Sequence, residues 1–295
     1  MTARGGRGRA PSDVASGAAP LVAALLVAAP VLVGIGYAAA GSFGLAGVGA
    51  AGRLTTARLV AVAGDARTWA SVVWTLRTAA TATTLAVALG VVVAVVFRGT
   101  RAVDRVARAL AIVPLPIPQV VAASSAVLIL GQSGLLSRLG HAAGFVANPQ
   151  AMPALVYDRW GIALVGALAW KEFPFLALVA GSTLGARGAD AEEAARTLGA
   201  GPWAVFRRVT WPLLWRAMLP SVIAVFTFVA GSYEAAALIG PSDPLPLQSL
   251  IRERYGDLDL GGRGDAYVLT LLALGIAAAA VIAHEYAART ATRGD

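Results

Sequence analysis

The stretch TAATATTLAVALGVVVAVVF, residues 78–97, contains no charged side chain and is bounded by Arg77 and Arg98. In a helix, a run of this length extends about 30 Å, which is the thickness of the hydrocarbon core of a bilayer. Lipid offers the backbone no hydrogen-bond partner, so such a segment must satisfy its own amides and carbonyls. The stretch therefore predicts a membrane-spanning helix.

Five further apolar runs have the same character. They lie at about 21–40, from after Arg108 to past Gly131, and at about 161–184, 213–240 and 266–283. Of the 295 residues, 58% are hydrophobic and only 14% are charged, whereas a soluble domain has about a quarter charged residues. We predict an all-α polytopic membrane bundle with six transmembrane helices.

The arginines between the runs predict the orientation. With a cytoplasmic N-terminus, the inner segments hold three arginines before the first run, four at 98–108, five at 187–216 and two at 289–293, against eight in the outer segments. Cytoplasmic loops carry the excess of positive charge, so both termini are expected inside. The first run followed by Ala38, Ala39 and Ala40 also fits a secretory signal, but it is longer than a usual signal core and five spans follow.

The predicted domain organisation has four parts. Residues 1–18 are expected to be a disordered basic cytoplasmic tail, 19–66 the first transmembrane helix with an outer loop, 67–288 the main transmembrane domain, and 289–295 a second cytoplasmic tail. A lipid bilayer is the expected surrounding, and the spread of arginines over many gaps argues against a nucleic-acid surface.

Several chemistries are excluded by composition. The chain has no cysteine, and its two histidines, His141 and His284, are far apart, so no thiolate or histidine cluster is expected. Lys171 is the only lysine, which rules out a phosphate-binding loop of the Walker type. We expect no catalytic residue, metal or cofactor in this chain. Energy for uphill transport must come from an ion gradient or from a partner chain.

The most informative segment is DAEEAARTLGAGPWAVFRRVTWP, residues 190–212. It predicts a short helix with Asp190 as N-cap and Glu193 completing a capping box. Gly199 suits a left-handed helix end and Pro202 the first turn of a following helix. Such a segment is either a structured loop or a docking surface for another protein.

This segment resembles the EAA loop of permease subunits of binding-protein-dependent ABC importers, the MetI-like family of transport system inner membrane components. The family pattern is E-A-A, three residues, G, nine residues and I-x-L-P. The chain has Glu193-Ala194-Ala195, then Gly199, then 209–212 as Val-Thr-Trp-Pro, with matching spacing. Val209 and Trp211 replace the family's Ile and Leu, and both remain apolar. The similarity covers 67–288, with the loop at 187–212.

The resemblance implies a mechanism and partners. It implies a multi-pass protein of the plasma or inner membrane, in which a coupling helix contacts a separate ABC ATPase subunit that binds the ATP. A second permease chain, identical or different, and an extracytoplasmic substrate-binding protein would complete the importer. The residues that the resemblance assigns to ATPase coupling are Glu193, Ala194, Ala195, Arg196, Gly199 and Pro212.

Three ionisable residues fall within predicted spans: Lys171, Glu172 and Glu234. A charge at the bilayer centre costs at least about 2.5–3.5 kcal/mol, so such residues usually face a cavity or a partner. Pro174 predicts a kink or break beside the first two. By depth, Lys171 and Glu234 could pair. They are either an ion pair that fixes packing or part of the translocation pathway.

The cargo is the least determined property. The segments 170–175 (WKEFPF) and 231–234 (GSYE) resemble polyamine permeases of the spermidine/putrescine type, with iron, thiamine and sulfate or molybdate permeases close behind. Two other functions stay open: a secondary transporter driven by an ion gradient through the buried charges, and a membrane scaffold that transports nothing. Dependence of uptake on ATP separates the importer from the secondary transporter.

Overall fold

A computed structural model describes residues 15–47, 52–258 and 262–291, and within these ranges the secondary structure is helical, without a strand. The first helix begins at Ala15 and the last ends at Ala291. The last four residues of the predicted N-terminal tail are therefore helical. Residues 1–14 and 292–295 lie outside the described residues.

The described chain forms helices of very different lengths. In chain order they are α1 (Ala15–Ser42), α2 (Ala57–Gly64), α3 (Ala66–Val96), α4 (Ala102–Ile112), α5 (Gln119–Leu130), α6 (Leu135–Ala142), α7 (Ile162–Thr183), α8 (Ala189–Thr197), α9 (Pro202–Val205), α10 (Trp211–Ala230), α11 (Glu234–Ile239), α12 (Leu247–Tyr255) and α13 (Arg263–Ala291). Two π-helical segments, Leu184–Gly188 and Phe206–Thr210, join α7 to α8 and α9 to α10.

Six segments are long and apolar enough to cross a membrane, which confirms the predicted number of spans within the described residues. They are Val22–Ser42, Ala66–Val96, Gln119–Ala142, Ile162–Ala186, Pro202–Ala230 and Arg263–Ala283. Their exposed Leu, Val and Ile side chains would face lipid, where an apolar surface is stable.

Helices α3 and α7 form the centre of the bundle. Small residues are packed in this part of the bundle. The almost fully buried ones include Ala79, Ala82 and Ala86 of α3 and Ala163 and Ala180 of α7. At Gly90 a Cβ would lie 2.9 Å from the amide nitrogen of Ala177, so only glycine allows this approach. Small residues permit the close helix packing by which membrane helices associate.

The bundle has two distinct ends. At one end, Arg98 after α3 contacts Glu192 of α8. At the other end, the start of α3 contacts α12 through Arg67 and Glu253, and Tyr37 of α1 packs edge-to-face on Tyr267 of α13. The arginine-rich segments 98–108 and 196–216 thus share one end, which the positive-inside rule assigns to the cytoplasm.

Three predicted spans differ in detail. The third crossing is broken at 113–118 between α4 and α5, because its three prolines cannot donate backbone hydrogen bonds. The fifth ends at Ala230 rather than Gly240. Of the kink or break predicted at Pro174, the break is absent: α7 continues through it, with Pro174 fully buried, because a single lost hydrogen bond is tolerated inside a packed helix.

Candidate functional site

The short helix α8 carries the residues of the EAA pattern, and its end has the predicted geometry. Gly199 is left-handed with φ of 83°. Its amide donates to the Arg196 carbonyl at 2.9 Å, and the Ala200 amide donates to the Ala195 carbonyl at 3.1 Å. These two bonds form a Schellman motif that stops the helix. Pro202 then starts α9, as predicted.

The beginning of α8 differs from the prediction. Its N-cap is Gly188, and no side chain caps it. Asp190 lies inside the first turn, so the predicted capping box with Glu193 is wrong. The helix starts earlier because the π-helical segment Leu184–Gly188 continues directly from α7 into α8, leaving no loop for a side-chain cap to close.

Most of the residues assigned to coupling are on the outside of α8. Glu193, Ala194, Arg196 and Gly199 are exposed, and Ala195 is partly buried. Leu198 is 89% exposed beside them. Pro212 is also exposed but lies in the first turn of α10, after the second π-helical segment. Small and apolar exposed residues on a capped helix make a surface that another protein can approach closely.

Glu192 is a buried, fully bonded residue of α8 that sequence reasoning missed. Its side chain is only 3% exposed and forms ion pairs with Arg98 at 2.8 Å and Arg196 at 3.1 Å. The Thr210 hydroxyl donates to the same carboxylate at 2.7 Å. The spacing of four residues to Arg196 is visible in the sequence, but Arg98 lies 94 residues away, a separation at which no local pattern operates.

A large cavity opens between α8 and the transmembrane helices at this end. Its volume is about 950 Å³. The apolar walls come from α3, α4 and α7, including Val93, Ile112 and Leu178, and the charged residues that line it are Arg98, Arg108, Glu192, Glu193 and Arg196. The cavity therefore extends from the inner parts of α3, α4 and α7 to the side chains of α8.

Lys171 has a partner that the sequence did not suggest. Its ammonium donates to the carbonyl of Leu115 at 3.2 Å, in the proline-rich turn before α5. It lies nine residues into α7, about 14 Å along the helix from its outer end. Irregular backbone at membrane depth has free carbonyls that need donors, and Lys171 supplies one.

The predicted Lys171–Glu234 pair is wrong: no ion pair joins the two side chains among the described residues. Because α10 ends at Ala230, Glu234 begins a separate helix, α11, and is exposed rather than inside a span. Glu172 is partly buried on α7 beside Lys171. Among the described residues, no group of three or more acidic or histidine side chains could hold a metal ion.

The opposite end of the bundle is joined by aromatic and arginine side chains. The Trp74 indole donates to the Arg159 carbonyl at 2.7 Å. The Arg77 guanidinium lies 5.1 Å from the centre of the Trp160 ring and donates to the Arg159 and Trp160 carbonyls. These contacts join the outer part of α3 to the start of α7.

Asp65, just before α3 at the same end of the bundle, is the N-cap residue of α3. It accepts hydrogen bonds from the Arg67 amide at 3.0 Å and the Thr68 hydroxyl at 2.9 Å, and it pairs with Arg254 at 3.2 Å. Burial acts to raise the pKa of Asp65, but the hydrogen bonds from Thr68 and Arg67 and the charge of Arg254 outweigh it and hold the pKa below its usual value.

These features define a helical membrane protein with a short exposed helix at its arginine-rich end, and comparison with known proteins names the class. The family model of the binding-protein-dependent transport system inner membrane component matches residues 86–290. The chain belongs to this family. It is a multi-pass membrane subunit of an ABC importer, and membership implies ATPase subunits, a second permease and a binding protein as partners.

Several relatives are similar over much of the chain. The molybdenum transport system permease protein ModB of Mycobacterium tuberculosis is 30% identical over 213 residues, which is 70% of this chain and 75% of the relative. The sulfate transport system permease protein CysW of Synechococcus elongatus is 33% identical over 147 residues, which is 48% of this chain and 47% of the relative. The predicted similarity to polyamine permeases is not supported by these relatives.

The fold is shared with a solved transporter. A bacterial ABC transporter that imports the acidic polysaccharide alginate superposes with a TM-score of 0.72 over 94% of this chain and 95% of that one, at 14% sequence identity. At this identity the likeness concerns the fold. It confirms the predicted permease architecture.

Proposed function

We propose that α8 is the coupling helix through which an ABC ATPase drives this permease. The observation that carries the proposal is the exposed, glycine-capped helix at the arginine-rich end, with the family's residue spacing. Glu193, Ala194, Arg196 and Gly199 are exposed along it, and we assign them, with Ala195 and Pro212, to contact with the ATPase. Trp203, which is 70% exposed on the next helix, extends the same surface.

We propose that the cargo is a small oxyanion of the molybdate or sulfate type. The support is the similarity to molybdate and sulfate permeases and the charge of the inner cavity. Three arginines line that cavity against two glutamates, and Glu192 is paired with Arg98 and Arg196, so the lining carries one excess positive charge. Arginine is well suited to anions that accept several hydrogen bonds, and an excess positive charge favours an oxyanion over a polyamine.

The cavity between α3, α4, α7 and α8 is our candidate for the inner part of the translocation pathway. In the importer a second permease would face it and close the open side. We assign Lys171 to holding the turn at Leu115, through the bond that it makes there. Glu172 and Glu234 remain proposed pathway residues, since each has a side chain that is at least partly accessible.

Uptake by the reconstituted importer tests the cargo. The permease, its ATPase and its binding protein are placed in proteoliposomes, and accumulation of labelled molybdate, sulfate and spermidine is measured with and without ATP. We expect ATP-dependent uptake of an oxyanion and none of spermidine. Uptake of spermidine would refute the cargo class.

The energy source is tested in the same vesicles. An ionophore that collapses the ion gradients should leave ATP-driven uptake unchanged. Uptake that needs the gradient and not ATP would refute the coupling role of α8 and favour a secondary transporter.

A further inference from the structure

The two adjacent glutamates of α8 have opposite environments. Glu193 is exposed, whereas Glu192 is 2% exposed and surrounded by donors from three different segments. Neighbouring positions on a helix point about 100° apart, so one glutamate can face a partner protein while the other faces the bundle. The structure therefore distinguishes the two glutamates, whereas the sequence Glu192-Glu193 alone does not.

Glu192 is the only buried side chain among the described side chains of α8. Among the described side chains of the helix, no apolar one is fully buried, and Ala195 is only partly buried. A buried carboxylate is stable only when it is paired and hydrogen-bonded, and here both of its oxygens have donors. Glu192 is thus the main described side-chain contact between α8 and the rest of the bundle.

Two of the three donors come from elements that lead into the membrane. Arg98 lies two residues after α3, and Thr210 is the last residue before α10. The ion-paired Arg98 and Glu192 both line the inner cavity. A displacement of α8 that keeps these bonds must move the ends of α3 and α10 with it.

We infer that Glu192 is a positioning residue that transmits movement of the coupling helix to α3 and α10, and so couples ATP hydrolysis to transport. This inference rests on the proposed function of α8 and deepens it. Glu193 contacts the ATPase, and Glu192 connects the contacted helix to the gate. Loss of the Glu192 carboxylate leaves the ATPase docked but uncouples ATP hydrolysis from transport.

The test compares Glu192→Gln with Asp190→Asn in the reconstituted importer. Asp190 is a matched control because it is exposed, lies on the same helix, loses the same charge and makes no hydrogen bond or ion pair among the described residues. Three quantities are measured: co-purified ATPase, ATP hydrolysis and cargo imported per ATP.

For Glu192→Gln we expect wild-type ATPase co-purification and a fall in cargo per ATP of about tenfold, the change that accompanies loss of charge-assisted hydrogen bonds. Asp190→Asn should keep the wild-type ratio. Glu192→Gln with an unchanged ratio overturns the inference. Failure of the wild-type permease to bind any ATPase would instead refute the proposed function, so the two failures are distinguishable.

Thr210→Val provides a second test if Glu192→Gln does not accumulate. Valine has nearly the same shape as threonine, so this substitution removes only the hydroxyl that donates to Glu192. We expect a fall in cargo per ATP of about threefold, because one hydrogen bond to a charged group is lost. An unchanged ratio for this variant also overturns the inference.

A distance measurement separates transmission from a general loss of stability. The chain has no cysteine, so spin labels on Thr100→Cys and Thr197→Cys, both exposed positions, report the spacing between the end of α3 and α8 without background. In the assembled importer we expect one narrow distance distribution for the wild type and Asp190→Asn, and a broad one for Glu192→Gln. A narrow distribution in Glu192→Gln contradicts the inference.

Discussion

The two ends of the bundle are held together in different ways. At the outer end, Trp74 and Arg77 bond to backbone carbonyls at the start of α7, Thr75 accepts from the Leu247 amide, and Asp65 pairs with Arg254. At the inner end, α8 continues from α7 through the π-helical segment, and Glu192 is its one fully buried described side chain, bonded to Arg98, Arg196 and Thr210. Many independent bonds to backbone make the outer end rigid. Attachment through one bonded carboxylate lets α8 move as a unit with the segments to which it is bonded.

Two left-handed glycines show the same contrast. Gly161, before α7 at the outer end, has φ of 70°, and a Cβ there would lie 2.9 Å from the Trp74 ring. Gly199, after α8, has φ of 83°, and a Cβ there would meet nothing within 4 Å. Substitution strains the backbone at both positions, but only at Gly161 does it also disturb packing.

The largest effect on transport is expected from Gly199→Glu. The side chain strains the left-handed helix end and adds a charge beside the proposed ATPase contact, so uptake should fall by more than about tenfold, a loss of 1.4 kcal/mol or more in coupling. Membrane insertion should be normal, as measured by the amount of folded permease in membranes. Retention of both ATPase co-purification and uptake would show that α8 is not the coupling helix.

Gly161→Ala is expected to affect stability rather than docking. Left-handed strain and overpacking against Trp74 should together cost about 3 kcal/mol. Gly199→Ala, which has the strain alone, should cost about 1–2 kcal/mol. The melting temperatures of the two purified variants give the comparison, and equal shifts would show that the outer end is not the more tightly packed one.

Asp65→Asn should lower stability by about 1 kcal/mol, because the amide oxygen of Asn can still cap α3 but the charge that pairs with Arg254 and strengthens the hydrogen bonds from Arg67 and Thr68 is lost. Because the pKa of Asp65 is lowered in the folded protein, its contribution is fully present above the usual aspartate pKa and is lost as the pH falls through the folded value. The melting temperatures of wild type and variant should therefore converge in acid. A difference that is constant with pH would exclude ionised Asp65 as the source.

The smallest effect is expected from Glu253→Gln. Its ion pair with Arg67 connects exposed side chains, 48% and 44% accessible, and such pairs contribute about 0–1 kcal/mol. The melting temperature should change little, and added salt should not alter the difference appreciably. A large loss of stability would mean that the outer end depends on this pair more than on its bonds to backbone.

Much of the fold could be predicted because it depends on local composition. Runs of uncharged residues specify the six spans, and Gly199 and Pro202 specify where α8 ends and α9 begins. The prediction failed at Asp190 and Glu234, where the helix boundary depends on what the neighbouring segment does. A π-helical connection before α8 and a separate helix after Ala230 have no distinctive local pattern.

The amino-acid sequence alone determined the class of protein: an all-α membrane bundle with a coupling motif, because hydrophobic length and motif spacing act over a few dozen residues. Helix packing is needed to see that Glu192, not Glu193, faces the bundle, that Lys171 bonds to Leu115, and that a cavity lies between α8 and the transmembrane helices. These properties depend on residues up to about a hundred positions apart, which helix packing brings within hydrogen-bond distance and local sequence cannot specify.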